Sequence, residues 1–128
     1  MPATEPDSRE GAMKSPRAEY VVDRVDAEGY EPDIVDGTQV GEFRGLEPKG
    51  ASANELDVCV WRSDPATYDY LFKKDEAFHV VAGAATIELP DTGESIELRA
   101  GDVAYFSAGT RSVWTITQPF KKFVVMPT

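Results

Sequence analysis

The chain has one cysteine and one histidine, Cys59 and His79, in 128 residues. A lone cysteine excludes an intramolecular disulfide and a CxxC metal site. Its plain reading is a buried free thiol in a reducing compartment, since no base stands beside it to make it a nucleophile. Basic residues are scarce too: 13 Lys and Arg stand against 23 Asp and Glu, for a formal net charge of −10. Nucleic-acid binding draws on clustered Lys and Arg, so no nucleic-acid partner is expected. No apolar run approaches the ~20 residues of a membrane span, and the polar N-terminal stretch has no signal-peptide core. A cytoplasmic protein without a membrane partner is expected. There is no phosphate loop, no G-x-S-x-G elbow and no dinucleotide fingerprint.

What is present is turn chemistry between short apolar runs. Ten glycines and nine prolines punctuate the chain, and no segment carries a helical period. Residues 1–19, "MPATEPDSREGAMKSPRAE", are polar with three prolines. They read as a flexible tail, or as an arm reaching to a partner subunit. Residues 20–128 read as one β domain. Tyr20 to Asp26 is a candidate first strand, and the Gly- and Pro-broken stretch after it holds at most short edge strands. "NELDVCVWRSD" alternates as a strand. "AFHVVA" and "AATIEL" read as a hairpin turning near Gly83. Gly93 and Gly101 mark further turns, and Gln118-Pro119 separates two last strands. Eight to ten short strands over roughly 105 residues favour an all-β barrel or sandwich.

Two stretches carry a family pattern. Glu76 precedes Gly83 by seven positions, and "GDVAYFSAGTRSVW" runs from Gly101 to Trp114. Together they resemble the paired motifs of the cupin superfamily. Trp61, Asp75-Glu76, Gly101-Asp102, Gly109, Trp114 and Lys121-Lys122, in that order, are similar to the small single-domain cupins of the (S)-ureidoglycine-aminohydrolase type. The resemblance covers about residues 20–128. It implies a double-stranded β-helix, or jelly-roll barrel, of two facing antiparallel sheets. It also implies a pocket in the barrel mouth, and a homodimer.

Carried over residue by residue, the motif keeps its glutamate and loses its histidines. Tyr70 and Phe72 stand in the two first-motif histidine positions, Ser112 stands in the second-motif position, and Ser107 replaces the motif proline. A transition metal needs several N, O or S donors converging at ~2 Å, which Glu76 alone does not supply, so no metal cofactor is expected. His79 does not repair the set. Side chains alternate along a strand, so His79 faces away from Glu76 unless a bulge intervenes.

The remaining candidates form a polar spot in an aromatic cup. Glu76 is the candidate catalytic group, as a general acid or base or as an anion holding a substrate amine. Tyr70, Phe72, Phe78, Ser112, Trp114 and Lys122 are the candidate substrate-binding residues, with Tyr105 near. The aromatics equally suit a packed barrel interior. Glu76 also suits an exposed charge, or a carboxylate paired with Lys122 or Arg111, and the motif match favours the functional reading. One of Lys121 and Lys122 must face inward, and the resemblance points to Lys122. Asp102 suits a turn-organising role. The expected function is metal-free binding or conversion of a small polar, nitrogen-containing metabolite. A non-catalytic sensor, a structural barrel and a metal-dependent aminohydrolase-like enzyme are the alternatives.

Overall fold

The computed structural model describes residues 18–128. Apart from its last two residues, the stretch expected to be a tail lies outside the described residues. Eight strands follow in order: β1 (Glu31–Val35), β2 (Thr38–Leu46), β3 (Leu56–Ser63), β4 (Ala66–Leu71), β5 (Glu76–Leu89), β6 (Glu94–Arg99), β7 (Val103–Phe106) and β8 (Arg111–Pro127). One 3-10 turn at Gly50–Ser52 precedes β3, and no α-helix occurs among the described residues. The fold is an all-β, antiparallel jelly-roll barrel.

Two long strands build it. The C-terminal part of β8 lies between β3 and the first part of β5, and β7 flanks β5 on its other side. The N-terminal part of β8 lies between β4 and the second part of β5, with β6 beyond. β5 and β8 therefore pass from one face of the barrel to the other, and β1 and β2 extend the first face beyond β3.

Period-two burial follows from this wrapping. On β8, Ser112, Trp114, Ile116, Phe120, Lys122 and Val124 are buried. On β5 the buried set is Glu76, Phe78 and Val80, then Ala85 and Ile87, so the inward parity changes from even to odd. The change falls at Gly83, where the β5–β8 register shifts. Gly83 has φ +85°, and a Cβ there would stand 2.0 Å from the Pro119 carbonyl oxygen. It is a bulge within a strand.

Several expectations are corrected here. Gly83 does not turn a hairpin, because a glycine with positive φ serves a bulge as well as a turn. Gln118-Pro119 likewise lies inside β8. Pro119 lies opposite the bulge, and the β5–β8 register carries partners on both sides of it. Tyr20 to Asp26 is not a strand. Side chains tie this segment down instead: Arg44 pairs with Asp23, and Arg44 Nη2 donates to the Arg24 carbonyl at 2.6 Å. β2 is no short edge strand either, since its nine residues lie between β1 and β3.

Candidate functional site

Strand alternation sends Glu76 into the barrel at the first residue of β5. The same alternation on β8 turns Lys122 inward beside it and leaves Lys121 outside, donating to the Val25 carbonyl at 3.2 Å. The β5–β8 register places Lys122 opposite Val80, and β3 places Trp61 opposite Lys122. The result is a buried ion pair: Lys122 Nζ donates to Glu76 Oε2 at 2.8 Å, with Glu76 2 % and Lys122 6 % exposed. The Tyr70 hydroxyl, from β4, donates to Glu76 Oε1 at 2.9 Å.

The lysine also sits among aromatic rings. Its Nζ lies 4.4 Å from the Phe78 ring centroid, 4.5 Å from Trp114 and 5.2 Å from Trp61. Ring faces attract a cation at such distances. Trp61 is oriented by its own N–H, which donates to the Val40 carbonyl at 2.9 Å. Gly41 (φ +72°) leaves room for that ring, since a Cβ there would meet Trp61 at 2.6 Å.

A cavity of about 70 Å³ opens beside the pair. Its wall includes Asp33, Cys59, Trp61, Tyr68, Tyr70, Glu76, Trp114 and Lys122. The volume is small against the ~300 Å³ of the smaller drug-sized pockets. It suits a few waters or one polar group of a larger ligand.

The expected site residues therefore divide. Glu76, Tyr70, Trp114 and Lys122 meet at the cavity. Phe72 and Phe78 do not line it. They belong to the packed interior, where Phe106 stacks at 4.7 Å on Phe72 and 6.0 Å from Phe78. Phe78 still serves the site through its face toward Lys122. Ser112 is spent on the backbone, donating to the Tyr70 carbonyl at 2.7 Å. Tyr105 points outward and is 61 % exposed. His79 is exposed, on the face opposite Glu76, as alternation requires. Asp102 holds a turn, accepting from the Arg99 N–H at 2.9 Å.

Asp33, Tyr68 and Cys59 lie outside the set that the sequence marks. Asp33 comes from β1, in a stretch whose broken pattern hides its strand. Burial raises its carboxyl above the usual carboxylate value. Burial also pushes the Cys59 thiol up to about 11. Burial, then the Glu76 charge and the hydrogen bond to it, pushes the Tyr70 phenol far above its ordinary value, so it stays protonated.

The donor set around Glu76 does not fit a metal. Both carboxylate oxygens accept hydrogen bonds, from Tyr70 and Lys122. Phe72 has no donor atom, and the Ser112 hydroxyl is engaged. Among the described residues no group of three or more His, Cys, Asp or Glu could hold an ion.

The EutQ-like cupin domain matches residues 52–123, more than half of the chain. The chain belongs to that cupin family. The polyketide cyclase RemF from Streptomyces resistomycificus is similar in fold, with TM-score 0.64 and 20% identity over 84% of this chain and 78% of that one. A putative ethanolamine utilization protein, EutQ of Salmonella typhimurium, has TM-score 0.59 and 14% identity, over 77% of this chain and 94% of that one. For EutQ of Clostridium difficile the values are 0.55 and 14%, over 68% of this cupin and 63% of that chain. No curated protein matches the chain significantly.

Proposed function

We propose that the barrel mouth binds, and in its enzymatic form converts, a small polar, nitrogen-containing metabolite without a His-ligated metal. The observation that carries this reading is the buried Lys122–Glu76 pair, capped by Tyr70 and bordering an aromatic-walled cavity. Such a pair is a poor stabiliser. Exchange for apolar residues of similar volume is often neutral or favourable, so its presence fits a ligand better than a need of the fold. Asp33 in the same wall suits a ligand N–H, and the Trp61 and Trp114 faces suit its planar parts. Kinship with the ureidoglycine-aminohydrolase type would agree with such a ligand. Of the three named relatives, RemF and the Salmonella protein point elsewhere, to polyketide cyclisation and ethanolamine utilization, and at 14–20% identity neither activity is transferred.

In a reaction, Tyr70 would hold Glu76 in place by its hydrogen bond and keep its own proton, and Glu76 would accept a substrate proton on a lone pair that Tyr70 and Lys122 leave open. A non-catalytic binding or structural barrel is the second reading, favoured by the small cavity. Amides, amino acids and ureido compounds are to be screened by thermal shift and for ammonia release. At a hundred times Kd a true ligand adds about 2.7 kcal/mol of stability. Stabilisation with no turnover selects the binding reading, and no stabilisation by any compound removes both ligand readings. The homodimer implied by the resemblance belongs to the same proposal and is read from light scattering.

A further inference from the structure

We propose that the Lys122 ammonium stands where a cupin of this pattern would carry a metal, and that its free N–H groups receive a neutral carbonyl oxygen of the ligand. The inference rests on the small-molecule reading above and names what that site recognises.

Three observations carry it. The first is the cation itself: Lys122 is buried against the one retained motif carboxylate, at 2.8 Å, with aromatic faces on three sides. It satisfies the charge of Glu76 as a bound ion would, and the positions that would complete an ion's shell hold Tyr70, Phe72 and Ser112. The second is an unmatched donor count. An ammonium carries three N–H groups, and among the described residues only Glu76 accepts a hydrogen bond from Lys122. Buried donors are rarely left idle. The cavity that Lys122 borders is where an acceptor oxygen can reach it. The Trp114 indole N–H, in the same wall, is likewise buried without a partner among the described residues.

The third observation is charge. Glu76 and Lys122 cancel, and Asp33 adds a carboxyl to the wall. A ligand carboxylate would face Asp33 with nothing to offset it. A neutral carbonyl, from an amide, ketone or ester, takes the Lys122 hydrogen bond without that repulsion, and an amide N–H can also serve Asp33. A ligand ammonium, which Asp33 would attract, is disfavoured beside Glu76, where it would meet the like charge of Lys122.

Indole N–H resonances test the proposal directly, since both tryptophans of the chain line the cavity. Acetamide, acetone, acetate and methylammonium are titrated into 15N-labelled full-length protein, after chelator treatment. Acetamide and acetone are expected to shift the Trp61 and Trp114 signals saturably, with acetate weaker. In a Glu76→Leu/Lys122→Met double variant, which removes both buried charges together, acetamide binding is expected to fall about 10- to 100-fold, the loss of one hydrogen bond to a charged donor. Binding of methylammonium or acetate in preference to acetamide would overturn the proposal and leave the small-molecule reading standing. If no probe moves either signal, both fail. Stoichiometric uptake of Zn2+ or Co2+ by the wild type, displacing Lys122 from Glu76, overturns it as well. Unchanged acetamide binding in a folded double variant does the same.

Discussion

At the scale of the residue, Lys122 and Glu76 depend on each other. Neither is stable in the barrel alone, because an unpaired buried charge costs several kcal/mol. Glu76→Gln and Lys122→Met are each expected to lower stability by about 3–5 kcal/mol in urea unfolding. The Glu76→Leu/Lys122→Met double variant is expected to recover most of that loss, or exceed the wild type. This bears on any activity assay: loss of turnover in Glu76→Gln reports chemistry only once folding of the variant has been shown. The pairing was one of three readings open for Glu76 in the sequence. Alternation alone could not choose among them, since it says which way a side chain points and not what it meets.

The element scale belongs to β5 and its bulge. The single glycine that appears in sequence as a hairpin turn instead keeps one fourteen-residue strand continuous while reversing its inward parity. Gly83→Ala must place a methyl on the Pro119 carbonyl in a left-handed backbone conformation. Strain and overpacking together predict a loss of about 2–5 kcal/mol. Gly45→Ala in β2 meets nothing within 4 Å, so its effect is expected within about 0.5 kcal/mol. Denaturant midpoints of the two variants make the comparison. Equal effects would mean that the bulge tolerates a side chain and that the parity change has another origin.

For the whole molecule, stability is linked to the ionisation of two groups in the cavity wall. Cys59 and Tyr70 both have folded-state pKa values raised above their ordinary 9.0 and 10.0. A raised value means the neutral form is favoured by folding. The stability they contribute is therefore full below about pH 9, and it is lost as pH rises through the folded values. For Cys59 alone, the shift to about 11 is worth up to about 2–3 kcal/mol. Unfolding midpoints measured from pH 8 to 11 are expected to fall steadily. Cys59→Ala should flatten the first part of that fall. At pH 8 the native thiol should react with a disulfide reagent far more slowly than in the unfolded chain.

The sequence by itself determined the class of the fold, the family pattern, the loss of the motif histidines and the outward direction of His79. These follow from turn residues, residue identity and a period of two, all of which are local. It also named Glu76, Tyr70, Trp114 and Lys122, which line one cavity, as candidate site residues, with Lys122 resting on resemblance. Only the tertiary structure decided that Lys122 meets Glu76 across two strands, that Phe72 and Phe78 fill the core, and that Asp33 joins the wall from β1. Those outcomes depend on register between strands distant in sequence. A bulge of one residue at Gly83 is enough to change which side chains a barrel encloses.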